Sequence, residues 1–238
     1  MKTQKCIILL SGGQDSTTCL FYALKNFGEV IAVGFDYGQR HKIELDQAQK
    51  IADLVSVPYH IFDIKGLLSG SSLTEPSLYG QEHHPIDPSL PSSFTAGRNM
   101  LFLTIAASWA YNQGISDIIT GVCQTDYSGY PDCRAIFIRA QENALFHAMG
   151  KQFNIHTPLM HLSKAETWAL AYDLRGEYMI DGKPQFLNPL DIVKEYTMTD
   201  YHGSTKMNDW GMGEENNPAS ILRAKSYREA VNRRLIPA

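Results

Sequence analysis

Short apolar runs alternate with amphipathic stretches along the first 175 residues of the chain. Residues 6–10, 30–36 and 59–63 have the length and the apolar, β-branched or aromatic content of buried strands. Between the second and third runs, apolar side chains recur at helical spacing over residues 41–55. Strands that alternate with helices indicate parallel βαβ units. The pattern therefore predicts an α/β fold with an open, doubly wound parallel sheet.

The alternation continues as far as a helix that begins near residue 164. A helix over 100–111 opens at Gly97-Arg98-Asn99, and a strand over 117–120, a helix over 135–150 and a strand over 153–159 follow. Ser163 and Glu166 have the spacing of a helix capping box. Beyond residue 173 the chain reads as loop-rich up to residue 213, and a basic helix over 220–235 closes it. We therefore predict an α/β domain over 1–175 and a C-terminal extension, loop-rich then helical, over 176–238.

One long stretch, residues 64–96, breaks the pattern with Gly, Ser, Pro and His. A mobile surface loop and a lid over an active site both fit a stretch of this length. The adjacent His83 and His84 are weak grounds for a metal site, because no further spaced ligands accompany them.

The first strand ends in a glycine-rich loop that leads directly into a helix. Gly12 and Gly13 can adopt positive φ, and the orphan N–H groups of the new helix favour an anion. An ordinary turn capped by Asp15 or Ser16 would account for the glycines alone, but the surrounding hydroxyl groups favour phosphate binding. The spacing is that of neither a Walker A loop nor G-x-G-x-x-G. The form Ser-Gly-Gly-x-Asp-Ser resembles the pyrophosphate loop of the N-type ATP pyrophosphatases.

Further candidate residues fall at the same edge of the sheet, where ligands of doubly wound folds bind. Asp36 and Tyr37 follow the second strand. The loop over 121–134 follows the strand at 117–120 and holds two Tyr, two Asp and an Arg in a turn bent by Gly and Pro. Tyr rings can stack on a planar base, and carboxylates can accept from its ring N–H and amino groups. Turn chemistry explains the Gly, Pro and Asp, but not Asp and Tyr together twice.

Two cations stand at predicted helix starts, where the helix dipole disfavours them. Arg98 therefore indicates a phosphate or carboxylate partner, or else a structural salt bridge. Lys164 indicates a second phosphate contact, with a solvated lysine as the alternative.

Composition limits the classes of partner. The formal net charge of −4 gives no basic footprint for nucleic acid, and no apolar run is long enough to cross a bilayer. The N-terminal residues lead into the first strand without a cleavage site, so we expect no signal peptide. The four cysteines lack C-x-x-C pairing, which suggests a reducing cytoplasm. We expect a cytoplasmic protein with small-molecule substrates and neither nucleic-acid nor membrane partners.

The motifs at 10–18, 35–41, 97–99, 126–134, 156–159 and 162–166 together resemble the bacterial 7-cyano-7-deazaguanine synthases of queuosine precursor synthesis. The resemblance runs over nearly the whole chain and implies an adenine nucleotide alpha hydrolase-like fold. It also implies that 7-carboxy-7-deazaguanine and ammonia are converted with ATP, through an adenylylated carboxylate and an amide, to the nitrile. A homodimer is expected by the same analogy.

The resemblance also assigns roles to residues of this chain. The catalytic residues would be Asp15, Ser16, Lys164 and Arg98, and Asp15 would help to hold Mg²⁺. The predicted nucleotide-binding residues are Leu10, Ser11, Gly12, Gly13, Gln14, Asp15, Ser16, Thr17, Thr18, Asp36 and Gly121. The predicted residues for recognising the deazaguanine and its carboxylate are Tyr37, Asp126, Tyr127, Tyr130, Asp132 and Arg134.

One departure from the family concerns a four-cysteine zinc site near the C-terminus. No cysteine occurs after Cys133, and residues 200–203 and 213–220 stand where the family has its cysteines. Structural zinc needs a closed shell of thiolate or imidazole ligands, so we expect no zinc, with hydrogen bonds and Pro218 holding the turn. The departure leaves two alternatives open: a relative that joins the activated acid to another amine or to a protein, and an idle nucleotide-binding interaction module.

Overall fold

A parallel five-stranded sheet with the strand order β3-β2-β1-β4-β5 forms the centre of the protein. The computed structural model describes residues 3–39, 43–125, 129–198, 204 and 206–237. The strands are β1 (Lys5–Leu9), β2 (Glu29–Asp36), β3 (Tyr59–Asp63), β4 (Asp117–Ile119) and β5 (Asn154–His156). All of these strand pairs are parallel, so the doubly wound α/β fold predicted from the sequence is confirmed.

Helices cover both faces of this sheet. The helices are α1 (Gln14–Asn26), α2 (Ile43–Leu54), α3 (Arg98–Asn112), α4 (Ala135–Met149) and α5 (Lys164–Asp173). Cys6 and Ile8 of β1 belong to a core with α1 and α2, whereas Ile7 packs into a second core with α3 and α4. Because β1 is buried on both faces, it reads as a continuous apolar run.

The C-terminal part is more regular than the sequence indicated. A hairpin of β6 (Gly176–Ile180) and β7 (Lys183–Leu187) is followed by α6 (Pro189–Tyr196), so the loop-rich prediction is wrong for these residues. The hairpin turns at Asp181 and Gly182, both at positive φ, which is the backbone of a two-residue hairpin loop. Asn188 caps α6 ahead of a proline in its first turn.

A third core joins the C-terminal residues to α5. After the short pair β8 (Met207–Asn208) and β9 (Gly211–Met212), α7 (Pro218–Asn232) closes the chain. Trp168 of α5, Trp210 and Tyr227 of α7 are buried together in this core. The predicted C-terminal helix is confirmed, although Arg233 and Arg234 lie beyond its end.

The long segment over 64–96 is held by polar contacts and contains one 3-10 turn, Pro76–Leu78. Ser71 Oγ and Thr95 Oγ1 are 2.7 Å apart across its base. His84 is buried, and its Nδ1 accepts the backbone N–H groups of Ile86 and Asp87. Among the described helices of the whole chain, none is both long enough and apolar enough to cross a bilayer.

Candidate active site

The glycine-rich loop lies at the point where the strand order reverses, between the carboxyl ends of β1 and β4. Ser16 Oγ donates to the Gly13 carbonyl (3.1 Å) and accepts the Ser11 N–H (3.2 Å), which ties the loop to the first turn of α1. A Cβ on Gly121 would lie 3.1 Å from the Ser16 nitrogen. The absence of a side chain there lets the loop after β4 approach the helix start. Switch points of this kind are the usual ligand sites of doubly wound sheets.

Asp15 and Lys164 meet across this switch point. The Lys164 ammonium donates to Asp15 Oδ2 at 2.6 Å. Lys164 is the first residue of α5, which begins with the predicted capping box between Ser163 and Glu166. The other carboxylate oxygen, Asp15 Oδ1, is buried without a hydrogen-bond partner in the described part of the chain. A buried carboxylate oxygen in this state fits a cation, because buried polar atoms otherwise have partners.

Arg98 and Tyr37 form a second polar pair at the same edge. Arg98 is the first residue of α3, and one guanidinium N–H donates to the Tyr37 hydroxyl at 3.4 Å. None of the carboxylates in the described ranges lies within salt-bridge distance of Arg98. Burial raises the pKa of Tyr37, and the neighbouring Arg98 partly offsets that effect. The Arg98 side chain therefore lines the cavity without a salt bridge to a carboxylate of the described residues.

The loop over 121–134 is only partly described. Asp126 and Tyr127 lie outside the described residues. The Tyr130 hydroxyl is 2.7 Å from Ser93 Oγ of the 64–96 segment, and its ring centroid is 5.5 Å from that of Phe94. The long segment therefore packs against the loop that the sequence assigned to substrate.

Asp132 and Arg134 make local contacts in this structure. Asp132 Oδ2 accepts the backbone N–H of Asn99 at 3.0 Å, which fixes the first turn of α3 next to Arg98. Arg134 is exposed and donates to the carbonyl of Gly129 at 3.2 Å. Neither residue lines the cavity that Asp15, Tyr37 and Arg98 share.

A cavity of about 320 Å³ brings many of the predicted residues together. The predicted residues that line it are Leu10, Ser11, Asp15, Ser16, Tyr37, Arg98, Gly121 and Tyr130. The predicted residues of the described ranges that do not line it, besides Asp132 and Arg134, are Gly12, Gly13, Gln14, Thr17, Thr18, Asp36 and Lys164. The Thr18 hydroxyl donates to the Gln14 carbonyl at 3.0 Å inside α1, and Asp36 pairs with Lys65 at 3.0 Å.

Sequence reasoning missed Glu44 as a lining residue. Glu44 is the second residue of α2, partly buried, and burial raises the pKa of its carboxyl to about 7 against the opposing effect of Arg98. An acidic residue in the first turn of a helix is ordinarily explained by its favourable interaction with the helix dipole. The cue that could have identified Glu44 is the position of α2, which starts at the carboxyl edge of the sheet after Tyr37-Gly38-Gln39.

The strand order and the Ser-Gly-Gly loop at its switch point define a doubly wound α/β protein with a candidate ligand site at the carboxyl edge of its sheet. A family model described as queuosine biosynthesis protein QueC matches residues 5–231 of this chain. The chain belongs to this family, so the resemblance stated from its motifs is confirmed.

Curated relatives agree with the family over the full length. The 7-cyano-7-deazaguanine synthase of Clostridium botulinum (strain Loch Maree / Type A3) is 47% identical over 231 residues, covering 96% of this chain and 97% of the relative. The protein of the same name from Bacteroides fragilis (strain YCH46) is 44% identical over 236 residues, covering 98% and 99%.

Proposed function

We propose that this protein converts 7-carboxy-7-deazaguanine and ammonia to 7-cyano-7-deazaguanine at the expense of ATP, as a step in queuosine precursor synthesis. The observation that carries the proposal is the joint position of a pyrophosphatase-type loop and of Tyr37, Arg98 and Tyr130 in one cavity. Membership of the QueC family supports it. The conjugating and idle alternatives have no observation in their favour.

The chemistry explains why a carboxylate substrate needs this loop. A carboxylate is a poor electrophile until one of its oxygens becomes part of a good leaving group, and adenylylation supplies one. The loop over 10–18 would hold the pyrophosphate that departs. Lys164 and Arg98 would neutralise the charge that develops on the phosphates, which is an effective form of transition-state stabilisation.

The nitrile requires two rounds of activation in the same site. In the first, ammonia displaces AMP from the acyl adenylate and gives the amide. In the second, the amide oxygen is adenylylated and leaves with AMP as the carbon–nitrogen triple bond forms. Asp15, which Lys164 holds by a hydrogen bond, lines the cavity that would serve both rounds.

We extend the proposal to Mg²⁺, with Asp15 as the residue that would hold it. Asp15 Oδ1 is the buried carboxylate oxygen without a described partner, and Mg²⁺ in phosphate sites takes one or two carboxylates plus phosphate oxygens. When bound, the ion would neutralise phosphate charge.

On the substrate side, the aromatic rings of Tyr37 and Tyr130 are proposed to contact the deazaguanine, together with Asp126 and Tyr127. Arg98 would face its carboxylate. Asp132 is proposed to act indirectly, since its carboxylate accepts the Asn99 N–H and positions the start of α3. Arg134 would need to leave its contact with Gly129 to reach a substrate.

We infer that the C-terminal turn is held by hydrogen bonds in place of zinc. Asn217 Oδ1 accepts the Ser220 N–H at 3.0 Å, and Asn217 Nδ2 lies 3.0 Å from Ser220 Oγ. The buried Arg223 guanidinium donates to the carbonyls of Val193, Thr197 and Trp210. Within the described ranges, no three His, Cys, Asp or Glu side chains are grouped as metal ligands.

A homodimer is a further proposal, supported by exposed apolar side chains on α3 and α4. Met100, Tyr111, Ile136 and Phe146 are each between 44% and 69% exposed. Apolar surface of this kind often marks an interface between subunits, and light scattering of the purified protein would give its mass.

The first test of the proposed function is ATP–pyrophosphate exchange. With Mg²⁺ and no ammonia, we expect exchange of labelled pyrophosphate into ATP only when 7-carboxy-7-deazaguanine is present. Exchange that does not depend on the acid, or that occurs equally with an unrelated carboxylic acid, would argue against this substrate.

A further inference from the structure

Glu44 occupies a defined position beside the phosphate loop. Its backbone packs on Gly12, since a Cβ added to that glycine would lie 2.2 Å from the Glu44 carbonyl oxygen. Gly12 itself has φ of 82°, a conformation that favours glycine. The close approach of α2 to the loop therefore fixes the helix turn from which the Glu44 side chain enters the cavity wall.

The Glu44 carboxylate faces two groups from other elements. Arg98 on α3 and Tyr37 after β2 are both within electrostatic range of it. No hydrogen bond or ion pair joins the Glu44 side chain to another residue of the described part of the chain. The titratable groups that share the cavity with it are Asp15, Tyr37, Arg98, Cys123, Tyr130 and Cys133.

The proposed reaction needs a proton acceptor, and none of the residues assigned to ATP or to the substrate is suited to that role. Ammonia must lose a proton after it attacks the acyl adenylate, and the amide nitrogen must lose both of its protons on the way to the nitrile. Arginine stays protonated in proteins, and tyrosine hydroxyls ordinarily titrate near pH ~10. Asp15 is held by Lys164 at 2.6 Å.

The two cavity thiols are engaged with other groups. Cys123 Sγ donates to the Leu162 carbonyl at 3.1 Å, and Cys133 Sγ lies 3.4 Å from Asn99 Nδ2. Glu44 is therefore the described cavity residue best suited to take a proton.

We propose that Glu44 is the general base of this site, an inference that rests on the proposed function. In amide formation the carbon–nitrogen bond forms, the bond from carbon to the AMP oxygen breaks, and the ammonium proton passes to the Glu44 carboxylate. In dehydration the first N–H proton passes to Glu44 as the amide oxygen bonds to the α-phosphorus of ATP and pyrophosphate departs. The second N–H proton passes to Glu44 as the triple bond forms and AMP departs with the former amide oxygen. Each proton then leaves Glu44 for solvent before the next transfer.

The environment of Glu44 suits that task. Burial raises the pKa of its carboxyl to about 7, with Arg98 acting in the opposite direction. A general base is most efficient when its pKa lies near the working pH, because it is then both deprotonated and basic enough to accept a proton. An ordinary exposed glutamate would be too weak a base.

The test compares Glu44→Gln with Asp46→Asn. Both side chains are acids in the first turn of α2, so the control variant also loses a favourable interaction with the helix dipole. Asp46 is exposed, whereas Glu44 lines the cavity. For each protein, the ATP–pyrophosphate exchange that requires 7-carboxy-7-deazaguanine is measured without ammonia, and it reports substrate binding and adenylylation. Nitrile formation is then followed across pH with the concentration of free NH₃ held constant, so that only protein groups titrate.

We expect Glu44→Gln to keep exchange within about twofold of the wild type and to lose nitrile formation by about 10²–10⁴-fold. The wild-type rate should fall as pH drops below about 7, where Glu44 takes up a proton, and the variant should lack this dependence. Asp46→Asn should behave as the wild type in both assays.

Three results would overturn the inference. They are nitrile formation by Glu44→Gln at the wild-type rate, an unchanged pH profile in that variant, and loss of exchange together with product. The last would assign Glu44 to substrate binding or to folding. If the wild type itself supports exchange but forms neither amide nor nitrile, the proposed function fails, and the role of Glu44 fails with it.

Discussion

At the scale of single residues, the Asp15–Lys164 ion pair joins the first turn of α1 to the first turn of α5. The two residues are 149 positions apart in the chain, and their side chains are 27% and 19% exposed. A lysine at the first position of a helix is unfavourable without a nearby anion. Asp15 provides that anion here, and a bound phosphate would provide another.

Replacement of Lys164 tests this arrangement. We expect Lys164→Met to lower the rate of ATP–pyrophosphate exchange by about 10²–10³-fold, because one preorganised charge contact to the phosphates is lost. The matched control is Lys183→Met on the exposed β6–β7 hairpin. Exchange that is equally fast in both variants would remove Lys164 from the catalytic set.

The ionisation of Glu44 predicts an effect on stability. Its folded-state pKa of about 7 is raised above the ordinary value of 4.5, so the unfolded chain loses this proton first. Stability is therefore lost as pH rises from about 4.5 through 7. At pH 8, Glu44→Gln should raise the free energy of unfolding by an amount on the order of 3 kcal/mol.

The same variant should have no effect below pH 4.5, where the carboxyl is neutral in both states. Urea unfolding at pH 4 and pH 8 would measure the difference. Equal stabilisation at both pH values would mean that packing, and not ionisation, is responsible.

At the scale of elements, the contact between α2 and the glycine-rich loop that precedes α1 shapes the candidate site. Gly12→Ala places a Cβ against backbone atoms of Glu44 and Ala48, so either the loop or the helix must move. We expect loss of ATP–pyrophosphate exchange by at least about 10-fold and destabilisation of a few kcal/mol.

The control for that substitution is Gly80→Ala. Gly80 has φ of 81°, close to the 82° of Gly12, but a Cβ there would meet nothing within 4 Å. Its cost should be limited to about 1 kcal/mol of backbone strain, with exchange unchanged. Comparable losses in the two variants would mean that the backbone conformation matters and the contact with α2 does not.

The N-terminus of α7 allows a test of the proposal that hydrogen bonds replace zinc in the C-terminal turn. Asn217 is buried and caps the helix by accepting the Ser220 N–H. Asn217→Ala should cost about 1–2 kcal/mol, seen as a lower melting temperature, whereas Asn232→Ala at the exposed end of the helix should cost little. A chelator should leave the melting temperature of the wild type unchanged. A marked decrease with chelator, or one zinc per chain in metal analysis, would contradict this account.

At the scale of the whole molecule, the alternation of apolar runs was enough to predict the sheet. It also predicted that the Ser-Gly-Gly loop and Tyr37 lie at one edge, where the carboxyl ends of parallel strands meet, and both line the cavity there. The β6–β7 hairpin was missed although Asp181-Gly182 is a hairpin turn signal, because β7 is almost entirely exposed and shows no alternation of apolar and polar residues. The burial of Glu44 and the contact of Asp132 with Asn99 depend on packing between distant elements, which no local pattern encodes. The division of the chain near residue 175 stays a prediction.

The central claim is that one cavity activates the same carboxyl carbon twice. The most direct measurement follows AMP and product mass together in a reaction of the purified protein with 7-carboxy-7-deazaguanine, ATP, Mg²⁺ and ammonia. The account predicts the mass of the nitrile, preceded by a transient amide, with two AMP released for each nitrile. Accumulation of amide with one AMP and no nitrile, or no product at all, would contradict it.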